Sequence, residues 1–272
     1  MPHGPNRQFP YSATVTNRGG LFDVALPDIR GGQLMLTIST QFQSRPLSKD
    51  VSNLTIVGTN PAPADLKAMM PNLTLKKIAK QESGFRQFIP VSGTKPLICP
   101  YWSEDNEGGV GVMQITNPRP SDEEVWSWRG NVTRGQQIFS QKISTARSYP
   151  IMLSRSAEFR GLINLYNERR MATNMPPINI RVPNFSTGDF DANPQQMELD
   201  AIRGYNGWGG KDQFGMALHE YRIALDADGY LVVDIDASGN SGWVRWERVP
   251  SSDRPVKFGN PDYVRMVLAQ QP

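Results

Sequence analysis

The chain carries one cysteine, Cys99, and two histidines, His3 and His219, in 272 residues. A lone thiol excludes an intrachain disulfide and a Cys-rich zinc site. Two histidines exclude a histidine metal cage. No apolar run approaches the ~20 residues needed to span a bilayer, so no membrane insertion is expected. From Met1 to Leu21 there is no apolar core of a secretory leader. A concentrated basic stripe is missing too. Against 29 Lys and Arg stand 26 Asp and Glu, giving a formal charge of +3 and a pI near 9.0. That balance suits an anionic polymer or is ordinary surface charge, and without a basic stripe no nucleic acid is expected as a partner. The sequence also lacks internal repeats and low-complexity tracts.

Hydrophobic residues make up 38% and charged residues 20%, enough for a real core. Glycine (24) and proline (22) are plentiful, which predicts long connections. Leu34, Leu36 and Ile38 alternate with Gln33, Met35 and Thr37, and Leu54 and Ile56 with Asn53 and Thr55. Period two predicts strands, which would pack on the following domain or complete a β-sandwich. Residues 61–216 read as helical. Ser121 to Glu124 forms a capping box ahead of Val125 and Trp126. Asn131 is expected to cap a helix carrying Ile138, Phe139, Ile143 and Ala146. Phe159, Leu162, Ile163 and Tyr166 repeat the helical spacing. Asn193-Pro194 is expected to open a helix through Ile202, and Asn260-Pro261 a last one with Tyr263 and Val264 inward. Between these two, Tyr221 to Leu225, Tyr230 to Asp236 and Trp243 to Val249 predict a three-stranded meander. The expected fold class is α+β. A β-rich segment spans 1–60, and a mainly helical domain spans 61–272 with a small antiparallel insertion at about 217–250.

One residue breaks the pattern. Leu75, Ile78, Ala79 and Glu82 fall at i, i+3, i+4 and i+7, so a carboxylate occupies the fourth position of an apolar face. Gly84 follows as a helix stop, which places Glu82 in the last turn. Desolvation and the negative helix end both disfavour a charged carboxylate there, so its pKa is expected to rise. A carboxylic acid that keeps its proton near neutrality is what a general acid requires. The alternative is a surface Glu paired with Lys77, Lys80 or Arg86.

Around this Glu the chain reads Gln81-Glu82-Ser83-Gly84-Phe85. Downstream come Gly108-Gly109-Val110-Gly111-Val112-Met113-Gln114-Ile115, then Asn131 with Gly135, then Gly204-Tyr205-Asn206-Gly207, and finally Asp262-Tyr263-Val264. This order resembles the soluble lytic transglycosylase domain, of goose-type-lysozyme-like fold, which cleaves peptidoglycan. The family pattern is E-S-x-F, G-x-x-G-L-M-Q, N-x-x-x-G, A-Y-N-A-G and a closing Y-V helix. The resemblance implies a lysozyme-like domain with Glu82 as catalytic acid and base. It implies that Ser83 hydrogen-bonds within the site, that Met113 and Gln114 line a glycan groove, that Tyr205 orients Glu82, and that Asn206 lies beside it. Val112 stands where the family has Leu. Gly207-Trp208-Gly209 replaces its Ala-Gly-Pro-like run and would put the Trp208 indole in the groove. No cofactor or metal is called for.

Most glycosidases use two carboxylates. Lytic transglycosylases resemble the exception, in which one Glu acts first as acid and then as base while the substrate's acetamido group helps. Glu104, Asp105 and Glu107 lie in the loop before Gly108. A second carboxylate from this cluster would make the enzyme a water-using muramidase. Gly108 to Gly111 would let backbone approach a sugar, or would make a tight turn. Tyr101, Trp102, Trp126, Trp128 and Trp208 are candidate sugar platforms or core aromatics. Asp234-x-Asp236-x-Ser238-Gly239 imitates the start of a calcium loop, but Arg245 occupies the twelfth position, so a hairpin turn is expected. Cys99 is expected to be incidental. The expected activity is release of 1,6-anhydro ends from peptidoglycan glycan strands in the periplasm or cell wall. A delivered module, from a secretion system or a phage particle, is the expected context. The rival readings are a hydrolytic muramidase and a non-catalytic glycan-binding module.

Overall fold

The computed structural model describes residues 12, 14, 32–89, 99–101, 108–207, 219–254 and 259–272. The chain is a mixed α+β protein. It opens with two long antiparallel strands, β1 (Gly32–Phe42) and β2 (Arg45–Ile56), joined by a two-residue turn at Gln43 and Ser44. Both turn residues have positive φ, the geometry that matches the twist of a tight hairpin. Strand alternation puts Leu36, Ile38, Phe42 and Leu47 on one face. That face is open: Phe42 is 63% exposed and Leu47 53%. None of the hairpin's described residues joins the buried core, so of the two expectations packing on the following domain is not met, and that of a partial β-sandwich is left standing.

Two helices follow, α1 (Pro63–Met69) and α2 (Leu73–Ser83). Asn72 caps α2 by accepting the Leu75 N–H, and Gly84 stops it at φ +61°. Short strands β3 (Phe88–Ile89) and β4 (Cys99–Pro100) pair with each other. Then come α3 (Asp122–Trp126), with the expected Ser121–Glu124 capping box, and the long α4 (Trp128–Ser154). Ser127, not Asn131, caps α4. Asn131 lies inside the first turn, fully buried, for a reason given below. α5 (Ala157–Ala172) starts at Ser156, whose hydroxyl accepts the Phe159 N–H. α6 (Gln196–Tyr205) begins after Gln195, two residues later than Asn193-Pro194 suggested, because a Gln195–Glu198 capping box satisfies its first N–H groups.

The predicted meander is instead two sheets. In one, β5 (Asn179–Arg181) lies parallel to β8 (Ser241–Val244), which pairs antiparallel with β7 (Val233–Ile235). In the other, β6 (Tyr221–Ile223) pairs with β9 (Trp246–Arg248). Within 217–250 the strands pair antiparallel, as expected, and the one parallel partner, β5, comes from outside the insertion. The insertion is stitched to the helical part through β5, a three-residue strand too short to show a period. The last helix, α7 (Tyr263–Ala269), packs on α2 and α6, while α6 lies along α4. Leu66, Ile78, Val112, Met113, Val132, Ile202 and Val264 form the dry centre of this helical cluster. No described helix is long and apolar enough to cross a membrane.

Candidate active site

Glu82 sits in the last turn of α2, half-buried. The Gly84 N–H closes that turn onto the Lys80 carbonyl, and the Phe85 N–H reaches the Ala79 carbonyl. This fixes the direction in which the carboxylate leaves the helix. Arg86 turns back to donate to the Ser83 carbonyl at 2.9 Å, and Lys77 donates to the Leu268 carbonyl at 3.0 Å.

Beside Glu82 runs the 108–115 segment, which is held from several directions. Ser83 Oγ donates to the Val112 carbonyl at 2.9 Å. Gln87 Oε1 accepts the Val112 N–H at 3.1 Å. Asn131 accepts the Met113 N–H at 2.8 Å and donates to the Val110 carbonyl at 2.9 Å. Tyr205 donates its hydroxyl to the Met113 carbonyl at 2.9 Å. These bonds explain the spacing of Asn131 and Gly135. Four residues apart on a helix, they share a face. The first grips the loop backbone. The second leaves room for Met113, whose side chain would stand 2.5 Å from any Cβ placed at Gly135. Gly111 is a turn glycine. Its φ is +74°, and a Cβ there would meet Gln87 Oε1 at 2.4 Å.

The structure therefore moves several expected roles. Ser83, buried, hydrogen-bonds beside Glu82 by holding the Val112 carbonyl, whereas Met113, at 0% exposure, is a strut of the loop and not a groove wall. Gln114 is half-buried at φ +47° and donates to the Gly111 carbonyl at 2.8 Å. Its Oε1 is buried with no partner. Asn206 accepts the Asn260 N–H at 2.6 Å and so ties the end of α6 to the start of the α7 segment. The orienting tyrosine is corrected. The hydroxyl that donates to Glu82 Oε1 belongs to Tyr263, not Tyr205. Tyr263 was legible in the Asp262-Tyr263-Val264 block, but as an inward-facing residue only. Trp208, Trp102, Glu104, Asp105 and Glu107 lie outside the described residues.

Both tyrosines report on the carboxylate. Burial pushes the Tyr205 and Tyr263 hydroxyls well above the ordinary phenol range, and the adjacent Glu82 charge pushes them further. Each stays protonated, and able to donate, throughout the range in which carboxylates titrate. With Glu82 taken as the general acid that the resemblance implies, Tyr263→Phe is expected to fold normally and to lose turnover by about tenfold, the order of one hydrogen bond to a charged group. The basic limb of its pH–rate profile is expected to move upward, because the carboxylate loses a donor that favours its ionised form. Steady-state rates between acid and alkaline pH on sacculi, the substrate that the resemblance implies, check this. An unshifted profile would mean that the contact does not act on Glu82.

A cavity of about 770 Å³ lies elsewhere, against α5, β5 and β8. Of the other aromatic candidates, Tyr101 lies under the Arg86 guanidinium and Trp126 packs on Phe88. Trp128 is partly buried against the core. Asp236 closes its hairpin turn by accepting the Ser238 and Ser241 hydroxyls, which draw its carboxyl down to about 2. Among the described residues no three His, Cys, Asp or Glu side chains group as metal ligands. No protein-family model, curated protein or solved structure matches this chain.

Proposed function

We propose that the chain is a peptidoglycan lytic transglycosylase of lysozyme-like fold, with Glu82 as its single acid and base. One observation carries this reading. Five sequence blocks scattered between Gln81 and Val264 meet around one carboxylate. Glu82 receives the Tyr263 hydroxyl, while Ser83, Asn131 and Tyr205 hold the Val110–Gln114 backbone alongside. Pieces so far apart converge on a reactive group when its position matters.

In the proposed reaction, protonated Glu82 gives its proton to the glycosidic oxygen between N-acetylmuramic acid and N-acetylglucosamine. The C1–O4 bond breaks as positive charge gathers on the muramyl ring. The ring's acetamido group stabilises that charge. Glu82, now a carboxylate, takes the proton of the muramyl 6-hydroxyl as its oxygen bonds to C1. Atoms balance without water, and the product ends in a 1,6-anhydro sugar. Tyr263 holds the carboxylate through both proton transfers, and the pinned 110–114 backbone keeps the neighbouring surface preorganised.

Mass spectrometry of the soluble products released from purified sacculi tests the reaction. Anhydro-muramyl ends are expected. Free reducing ends alone would replace this reading with a hydrolytic muramidase.

A further inference from the structure

The β5–β8–β7 sheet has one face in the core, where Ile180 and Val244 are buried, and one face in solvent. On the solvent face the register aligns Arg181, Trp243 and Asp234 across the three strands. Alternation calls for polar residues there, yet the central one is a tryptophan with 45% of its surface exposed. The Arg181 guanidinium lies 5.6 Å from the indole ring centre. Asp234 is held on the other flank by an ion pair with Arg245. Next to Trp243 opens the cavity of about 770 Å³, lined by Phe159, Ile163 and Val182, with exposed Ser154 and Asn184. None of its lining residues belongs to the Glu82 site.

We propose that this face is a second glycan-binding site, which takes a β-1,4-linked N-acetylhexosamine strand. A pyranose in such a strand presents a flat face of C–H groups and a rim of hydroxyls. The C–H face matches an exposed indole, and the rim matches polar side chains such as Arg181 and Asp234 on the same face of the sheet. The cavity falls within the ~300–1,000 Å³ of small-ligand sites. Arg181 also suits the lactyl carboxylate of a muramyl residue. Held on a sheet apart from Glu82, the site would keep the enzyme on an insoluble polymer between cleavages. The identity of the polymer rests on the transglycosylase reading; the platform does not.

Co-sedimentation with purified sacculi, and separately with chitin, tests the site in a Glu82→Gln background so that nothing is cut. Adding Trp243→Ala is expected to weaken binding to both polymers about tenfold, while Trp243→Phe keeps most of it. Adding Arg181→Ala is expected to weaken binding to sacculi more than to chitin, which has no carboxylate. With Glu82 intact, Trp243→Ala is expected to cleave short soluble glycans at the unaltered rate. Undiminished binding of Trp243→Ala to both polymers would overturn the proposal. Activity surviving Glu82→Gln would overturn the transglycosylase reading alone, because chitin binding that depends on Trp243 would still stand.

Discussion

Glu82→Gln is expected to abolish measurable release of muropeptides, a loss on the order of 10²–10⁴-fold, while the fold is retained. The amide has the size of the acid and still accepts the Tyr263 hydroxyl, so the α2–α7 contact persists. What it lacks is a proton acidic enough to leave with the glycosidic oxygen, and a base to take the 6-hydroxyl proton afterwards. Both half-reactions fail together, so mixing the variant with added carboxylate buffers is not expected to recover the wild-type rate. Turbidity loss of sacculi and chromatography of soluble products measure the effect. Circular dichroism with thermal melting shows that the variant is folded. A folded variant with wild-type release would remove the chemical role of this residue altogether.

Arg254→Met is expected to cost about 3–5 kcal/mol of stability, the order found when one partner of a buried ion pair is removed. Arg254 is almost fully buried. It lies 2.8 Å from Glu220 Oε2, and it donates to the Val249 carbonyl at 2.6 Å and the Pro261 carbonyl at 2.8 Å. Around it, Asp200 accepts the Glu220 N–H at 2.6 Å and lies 2.9 Å from His219 Nδ1. The His219 ring stacks on Tyr149 of α4 at 3.4 Å. Arg203 reaches the Asn260 carbonyl at 2.6 Å. This network joins α6, the β insertion and the segment leading to Tyr263. Burial already pushes the Glu220 carboxyl above its ordinary range, against the pull of Arg254 and Arg248.

The sign of the pH dependence follows. A group whose pKa is raised on folding stabilises least once pH climbs through its folded value. Without Arg254 the ionised Glu220 is left with the half-exposed Arg248. The deficit is therefore expected to be largest at neutral and alkaline pH, and to shrink as acid protonates Glu220. Urea titrations at two pH values read it, and Arg254→Met/Glu220→Gln is expected to recover a good part. A deficit below about 1 kcal/mol, the same at both pH values, would show that the buried charges carry no weight.

The sequence rules succeeded where the signal was local. The Ser121–Glu124 box stands as read, and so does the Gly84 stop. Period two located β1 and β2, but not what would cover them. Asn131 shows where such rules fail. An asparagine before an apolar helix looks the same whether it caps that helix or reaches sideways into a neighbouring loop. Ser127 takes the cap, and Asn131 becomes the grip on Val110 and Met113. Arg203, Glu220 and Arg254 read as ordinary surface charges, because nothing in a linear pattern says that they will meet in a dry interior. β5 is invisible for a similar reason. Its partner β8 lies far along the chain and supplies the pairing.

By itself the sequence determined that a carboxylate would end an apolar helical face, that the first strands would form before a helical region, and that a β insertion would precede the last helix. Each follows from residue spacing and from the caps at element ends, which act over one or two turns. Only the tertiary structure decided which tyrosine reaches Glu82, that Met113 is a buried strut, and that a tryptophan faces water on the β5–β8–β7 sheet. Those outcomes depend on how α7 packs against α2 across 181 residues of chain and how β5 meets β8. Contacts between distant elements form only when the whole core closes, so no local spacing encodes them.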